Sequence, residues 1–212
     1  MRRPLMLAAL VVALPFAIPY AAQLRAAASP QEISGAGTPT EVKAGTYVVE
    51  PGHTQVAFTV GHLGISPFSG TFSNASGTLV LDPAHLDATK VEVTIPIDSV
   101  QTTSDVLTGE LKGADWFDAA KFPTATFRST EVVRTGDDSA EIRGQLTLHG
   151  VTRPEVIKAR FFGTAVNPLS KKLSVGFVGR LAIDRSDYGV TKYVPLVSGR
   201  TELTINAAFE VK

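Results

Sequence analysis

The chain has 212 residues, with 20 basic and 20 acidic side chains, 44% hydrophobic residues and no cysteine. This composition is typical of a folded domain, and the charge balance excludes the basic surface on which general nucleic-acid binding depends. The absence of cysteine excludes disulfides, thiolate chemistry, Cys-ligated zinc and lipoprotein acylation.

The first 28 residues have the layout of a secretory signal peptide. A short cationic start precedes an apolar run over 5–18, and small residues follow. Cleavage fits after Ala22 or after Ala28, and we expect the second. The alternative is an uncleaved anchor over 5–24, since about 20 apolar residues can cross a bilayer. We predict export to the periplasm or beyond, with no stable membrane insertion after cleavage.

Residues 29–44 are rich in Ser, Gly, Pro and Thr and lack any apolar periodicity. This composition predicts a flexible linker. Residues 45–212 contain no internal repeat and no change of composition. They therefore predict one domain.

From residue 45 onward, apolar and polar residues alternate, which predicts strands with one buried and one solvated face. Turn residues separate ten such segments. The predicted strands are 45–49, 55–62, 67–73, 76–82, 89–97, 124–134, 139–149, 152–165, 173–184 and 200–211. One short helix is predicted over 103–113, in a connection. The long late strands favour an all-β fold built as a single antiparallel β-barrel.

Small residues on inward faces bear on whether this barrel is hollow. Gly144, Gly179 and Ala207 either leave room for a ligand or mark a tight bend or bulge. Phenylalanines are dispersed over the whole domain, where each alone is ordinary core. The dispersed phenylalanines are Phe58, Phe68, Phe72, Phe117, Phe122, Phe127, Phe161, Phe162, Phe177 and Phe209.

Six groups of residues, in register along 45–211, resemble the YceI-like family. The first is Thr46 to His53 followed by Val56-x-Phe58-x-Val60-x-His62-Leu63-Gly64. The later groups are Gly70-x-Phe72 with Gly77-x-Leu79-x-Leu81-Asp82, Asp115-Trp116-Phe117-Asp118-x-x-Lys121-Phe122-Pro123 with Phe127-x-Ser129, Gly144-x-Leu146-Thr147-Leu148-His149-Gly150-Val151-Thr152-x-Pro154, Asp184-Arg185-Ser186-Asp187-Tyr188-Gly189, and Val197-Ser198.

The resemblance implies an exported, lipocalin-like barrel that holds a long-chain isoprenoid, either a polyprenyl phosphate or a quinone-like lipid, as carrier or reservoir. No cofactor other than this lipid is expected. Each buried CH₂ contributes about 0.8 kcal/mol, so the tail supplies affinity and the head group must supply selectivity. The candidate apolar cavity residues are Phe58, Val60, His62, Phe72, Val93, Ile95, Phe127, Leu146, Phe177 and Leu181.

Candidate head-group residues lie in the segment between the last two strands: Arg185, Tyr188 and Lys192. Either the two cations meet a phosphate or polar ring at the barrel mouth, or Arg185 pairs with Asp184 or Asp187 and fixes the loop. Family members commonly carry an Arg-Asp-x-His-Leu run before the Asp-aromatic-Phe turn. Here that stretch reads Leu-Thr-Gly-Glu-Leu over 107–111, so no head-group role is transferred to it.

Three histidines, His53, His62 and His149, fall inside the family-like motifs. His62 either points into the cavity or forms a hydrogen bond within the core. His149 precedes a turn glycine, where a bond from the side chain to the backbone is the ordinary role. None of the three has the spacing of a metal pair, so we predict no metal site.

The sequence favours a binding protein and not an enzyme. It has no Gly-x-Ser-x-Gly elbow, no cysteine nucleophile and no Gly-rich phosphate loop. The alternative is an enzyme that acts on a lipid or other hydrophobic substrate in the same cavity, with His62, His149 or Asp187 as acid or base. An exposed strand edge would allow a homodimer.

Overall fold

The computed structural model describes residues 38–212. The predicted signal peptide and residues 29–37 of the predicted linker lie outside the described residues. The rest of that linker packs on the barrel: Pro39–Glu41 form one 3₁₀ turn, Val42 is buried in the core, and the hydroxyl of Tyr47 donates to the carbonyl of Lys43 at 2.7 Å. The folded domain therefore begins before residue 45.

Residues 38–212 form the ten strands that the alternation predicted, together with the one predicted α-helix. The strands are β1 (Gly45–Val49), β2 (Gln55–His62), β3 (Ser66–Phe72), β4 (Ser76–Leu81), β5 (Lys90–Pro96), β6 (Thr124–Arg134), β7 (Ser139–Leu148), β8 (Val151–Val166), β9 (Leu173–Asp184) and β10 (Val197–Val211). Helix α1 (Asp105–Lys112) lies between β5 and β6. It is shorter than predicted because Ser104 caps it, accepting a hydrogen bond from the backbone N–H of Leu107 at 3.4 Å.

Eight strands, β1 and β4 to β10, close into an antiparallel barrel. Each pairs with its neighbour in the order β1-β4-β5-β6-β7-β8-β9-β10, and β1 completes the circle by pairing with β10 as well. The long strands supply the tilt and length that a closed wall needs. The predicted all-β fold, a single antiparallel barrel with one short helix in a connection, is confirmed.

Strand β10 is long enough to pair with two partners in succession. Its last residues pair with β1, over 209–211, and its earlier residues pair with β2, over 197–206. Strand β3 pairs with the other edge of β2 and ends the sheet. An isolated bridge joins Thr71 of β3 to Gln101. The two ends of the barrel are therefore built differently, one by the closed strands and the other by the β2–β3 hairpin.

The buried side chains form two clusters. The first is centred on Tyr47, Val175 and Phe209. The second joins β2 and β3 to α1, which buries Leu111 beside Val100. No helix among residues 38–212 is long and apolar enough to cross a membrane.

Candidate ligand-binding site

The interior of the barrel contains two apolar cavities that share a wall. One has a volume of about 200 Å³ and the other about 300 Å³. The side chains of Val56 on β2 and Ile95 on β5 line both. The two cavities are therefore adjacent at these two side chains, and both have predominantly apolar walls.

The smaller cavity is here called the strand-side cavity, because most of its wall comes from strands of the closed barrel. Four of the predicted cavity residues line it, Val93, Ile95, Phe127 and Phe177. Its mouth is formed by the start of the domain and by the turns that follow β4 and β6. The mouth residues are Pro39, Val42, Pro83, Leu86, Arg134, Asp137, Asp138 and Ser139.

The larger cavity is here called the helix-side cavity, because α1 and the segment between β9 and β10 complete its walls. The predicted cavity residues that line it are Phe58, Val60, His62, Phe72, Ile95 and Leu146. Leu181 lines neither cavity. Ile183, the next residue on the same face of β9, lines the helix-side cavity instead.

Most of the dispersed phenylalanines surround these cavities. Four line the strand-side cavity and four the helix-side cavity. The eight are Phe127, Phe161, Phe177 and Phe209, and Phe58, Phe68, Phe72 and Phe117. Of the other two, Phe122 packs edge-on against His149 and Phe162 is exposed on the outer face of β8.

The two inward glycines have different roles. Gly179 and Ala207 line the strand-side cavity, so their small size leaves open space. Gly144 makes room for a neighbour, because a Cβ there would lie 2.5 Å from Cζ of Phe127 and 2.4 Å from the carbonyl oxygen of Arg128. It also adjoins a register shift between β6 and β7. The bulge interpretation therefore fits Gly144 and the cavity interpretation fits Gly179.

Arg185 lies in the wall of the helix-side cavity, but its guanidinium binds the protein's own backbone. Nε donates to the carbonyl of Ser198 at 3.0 Å and Nη1 to that of Val190 at 2.8 Å. Nη2 donates to the carbonyls of Lys192 and Val197, both at 2.8 Å. Burial lowers the pKa of Arg185, and Asp184 acts in the opposite direction. Arg185 thus fixes the loop, through carbonyls and not through the predicted aspartate pair.

Tyr188 and Lys192, the other two predicted head-group residues, line neither cavity. The Tyr188 side chain is fully buried, and its hydroxyl donates to Oε1 of Glu155 at 2.7 Å. Burial and this bond raise the pKa of Tyr188. Nζ of Lys192 lies 2.7 Å from Oδ2 of Asp115, and this bond raises the pKa of Lys192. Both side chains are therefore engaged outside the cavity walls.

The histidines occupy three different settings. His62 is exposed at the end of β2 and lines the helix-side cavity, so it points to the cavity and not into the core. Nδ1 of His149 lies 3.0 Å from the carbonyl oxygen of Tyr188, the bond from side chain to backbone that was predicted. His53 lies on the turn after β1, with Nδ1 2.6 Å from Oε2 of Glu50.

The candidate acid–base residues do not converge. Of His62, His149 and Asp187, only His62 lines a cavity. Asp187 is exposed, and its backbone carbonyl accepts a bond from Nε of Arg153 at 2.8 Å. Within residues 38–212, no three His, Asp or Glu side chains lie close enough together to hold a metal ion.

Several residues of the helix-side cavity were not predicted individually. Trp116, Glu110, Tyr193 and Thr201 all line it. The ring of Trp116 lies 5.2 Å from the Arg185 guanidinium and edge-on to Tyr193 at 6.0 Å. The signal for Trp116 was present, since it falls inside a family-like motif, whereas the positions of Glu110 and Tyr193 depend on how two connections fold.

Exposed apolar side chains surround the mouth of the helix-side cavity. They come from the β2–β3 turn, α1 and the segment before β10, and two of them, Leu107 and Tyr193, also line the cavity. The exposed residues are Leu63, Ile65, Val106, Leu107, Tyr193, Val194 and Leu196. The apolar wall thus continues from the interior onto the outer surface.

Known proteins share both this sequence pattern and this architecture. A protein of Azotobacter vinelandii described as a UPF0312 protein is 37% identical over 185 residues, covering 86% of this chain and 94% of the relative. The fold matches the crystal structure of Burkholderia cenocepacia BcnA with a TM-score of 0.68 and 22% identity, over 76% of this chain and 98% of that one.

A third similar structure is a polyisoprenoid binding domain from Saccharophagus degradans, with a TM-score of 0.59 and 16% identity, covering 80% of this chain and all of the other. At such identities the two structures show the fold alone. Residues 47–210, which include the ten strands almost completely, match the YceI-like domain. This protein therefore belongs to the YceI-like family.

Proposed function

We propose that this protein is an exported binding protein that holds a long-chain isoprenoid lipid inside its barrel, as a carrier or reservoir. The observation that carries this proposal is the pair of apolar cavities that adjoin at Val56 and Ile95. An elongated apolar ligand that occupies both cavities would bury their apolar linings away from water. At about 0.8 kcal/mol for each buried CH₂, several isoprene units provide ample driving force.

The lipid class is supported by the structural relative from Saccharophagus degradans, which is described as a polyisoprenoid binding domain. The family match over residues 47–210 supports the same assignment. The apolar surface around the mouth of the helix-side cavity also suits an apolar ligand, because it gives the tail a continuous path from the outside to the interior.

Binding is favoured over catalysis by where the candidate acid–base groups lie. His62 faces the helix-side cavity, whereas His149 bonds to the backbone near Tyr188 and Asp187 lies outside both cavities. General acid–base chemistry needs its groups within hydrogen-bond reach of one reacting site. These three side chains do not meet that requirement.

Export and release of residues 1–28 rest on the sequence of that segment. An exported location is consistent with the proposed role, since a lipid tail needs a protein to cross an aqueous compartment. Amino-terminal sequencing of the secreted protein tests it, with a new terminus after Ala28 expected and a retained residue 1 contradicting it.

The central experiment is extraction of lipid from the purified protein, followed by mass spectrometry. We expect a near-stoichiometric long-chain isoprenoid. Protein that is empty after purification and cannot be loaded with an isoprenoid in vitro would contradict the proposal.

A matched pair of substitutions separates cavity binding from adhesion to the surface. Ala207 lines the strand-side cavity, so Ala207→Phe places a phenyl ring in a space of about 200 Å³. Ala182 pairs with exposed Glu202 on the outer face of the same sheet, so Ala182→Phe is the control. We expect the first substitution to reduce retained lipid severalfold and the second to leave it unchanged. Equal retention in both variants would contradict a ligand in the interior.

A further inference from the structure

The charged groups at the two cavity mouths bear on which head group the protein accepts. This inference rests on the proposed function, because it concerns the head group of the lipid whose tail fills the cavities. A phosphate monoester carries close to two negative charges at neutral pH, and burying such a charge is costly unless cations with free N–H donors meet it.

The cation of the helix-side cavity has little capacity left for such a ligand. A guanidinium has five N–H donors, and four of those of Arg185 are directed at the carbonyls of Val190, Lys192, Val197 and Ser198. A bidentate grip on a phosphate needs two parallel donors. Arg185 could provide them only by releasing carbonyls that hold the loop.

Other groups around Arg185 oppose an anion further. The ring of Trp116 covers the guanidinium at 5.2 Å. Glu110 lines the same cavity and adds a carboxylate that acts on Lys192, whose pKa it helps Asp115 to raise. The nearby cation Lys192 is outside the cavity wall and is paired with Asp115. His62 is the one histidine among the residues that line this cavity.

The mouth of the strand-side cavity is no better suited to phosphate. Arg134 lines it and donates from Nη2 to the carbonyl of Pro83 at 3.0 Å. Asp137 and Asp138 line the same mouth, and the Arg160 cation is 3.8 Å from Asp138. The two carboxylates thus balance the charges of Arg134 and Arg160, and no net positive charge is left there for a phosphate.

We infer that the protein selects isoprenoids with an uncharged polar head group, an alcohol, phenol or quinone, and discriminates against the corresponding phosphates. The Glu110 carboxylate can accept a hydrogen bond from a hydroxyl, and a ring N–H of His62 can donate to a hydroxyl or to a quinone carbonyl, because both residues line the helix-side cavity.

The test compares geranylgeraniol with geranylgeranyl phosphate, two probes with the same tail. Trp116 is the single tryptophan of the chain and lines the helix-side cavity, so its fluorescence reports occupancy without a label. We expect delipidated protein to bind the alcohol at least tenfold more tightly than the phosphate. Affinity for the alcohol should not change between low and high salt, because screening weakens only contacts between charges.

Charge reversal at the mouth provides the second measurement. Glu110→Lys should reduce the preference for the alcohol about tenfold, since it replaces the opposing carboxylate with a free cation. Glu92→Lys makes the same change of charge on the exposed face of β5 and should leave the preference unchanged. An equal effect of both substitutions would overturn the assignment to the mouth of the helix-side cavity.

The remaining outcomes separate this inference from the proposed function. Binding of the phosphate as tightly as the alcohol, or more tightly, would overturn the head-group inference and leave a lipid-binding barrel standing. If neither probe changes the Trp116 fluorescence or is retained by the protein, the proposed function fails, and the inference fails with it.

Discussion

The two ends of the barrel reach a similar apolar interior by different means. The strand-side cavity is enclosed by paired strands, whose ladders run without interruption from β7 through β10 apart from one register shift. The helix-side cavity is completed by α1 and by the segment between β9 and β10. Backbone pairing between strands therefore shapes the strand-side cavity, whereas side-chain contacts must hold the helix and loop that complete the helix-side cavity.

At the helix-side end, one residue, Arg185, therefore holds much of the wall in place. Arg185 gathers four carbonyls spread over residues 190–198, a stretch in which no strand begins before Val197. In the strand-side wall, by contrast, each strand is secured by many backbone bonds. We therefore expect single substitutions to affect the two ends unequally.

The largest effect is expected for Arg185→Ala. Hydrogen bonds to a charged group contribute about 1.5–3 kcal/mol each, and buried acceptors that lose their donor are costly. Because effects within one network are not additive, we expect a loss of at least about 3 kcal/mol in the free energy of unfolding, measured in urea. Exposed Arg180 on β9 provides the control, as Arg180→Ala should change little. Similar losses in both variants would show that the loop does not depend on this contact.

The same variant sharpens the account of lipid selection. Since Arg185 acts on the loop and not on the head group, Arg185→Ala should weaken the binding of alcohol-headed and of phosphate-headed isoprenoids to the same extent. A selective loss of phosphate binding would place the guanidinium in contact with the head group and contradict its assignment as a positioning residue.

A smaller effect is expected from adding a methyl group to either inward glycine. In Gly144→Ala the new Cβ meets a backbone oxygen at 2.4 Å and a phenyl ring at 2.5 Å, so we expect a loss of about 2 kcal/mol from overpacking. In Gly179→Ala the nearest contact is Cγ2 of Ile157 at 3.0 Å, and the adjoining cavity allows that side chain to move. A loss below about 1 kcal/mol is expected there. Urea unfolding of both variants measures the difference, and a reversed order would contradict it.

The sequence was sufficient for the barrel and for most of its apolar lining. Alternation places Phe58 and Val60 on the inner face of β2 wherever that strand lies in the sheet. The pattern could not distinguish Leu181 from Ile183, because both share one face and only the position along the barrel decides which reaches a cavity. It also could not exclude Lys192, since a long side chain in a connection can turn either way.

The partners of Arg185 were beyond sequence reasoning for a related reason. A carboxylate partner can be recognised in the sequence as an Asp or Glu, and Asp184 and Asp187 were the natural candidates. Carbonyl partners leave none, since every residue has one. The loop also depends on Gly189, whose φ of 77° lies in the left-handed region that glycine adopts readily.

Alkaline pH should expose a further difference between the wild type and Tyr188→Phe. Burial and the bond to Glu155 raise the pKa of Tyr188, so the folded state retains the proton more strongly than the unfolded state. The resulting stability is fully present below the unfolded pKa of about 10 and is lost as the pH rises above it. We expect wild-type urea midpoints to fall more between pH 8 and pH 11 than those of Tyr188→Phe. Buried Tyr47, whose pKa is also raised, contributes equally in both, and parallel declines would contradict the assignment to Tyr188.

The smallest effect is expected for Lys192→Ala, although this residue takes part in the loop held by Arg185. Arg185 uses the backbone carbonyl of Lys192, which alanine retains. The ammonium group itself pairs with exposed Asp115, and exposed ion pairs add little to stability. The urea midpoint and the affinity for geranylgeraniol should therefore both match the wild type. A loss approaching that of Arg185→Ala would mean that the side chain of Lys192, and not its carbonyl, fixes the helix-side end of the barrel.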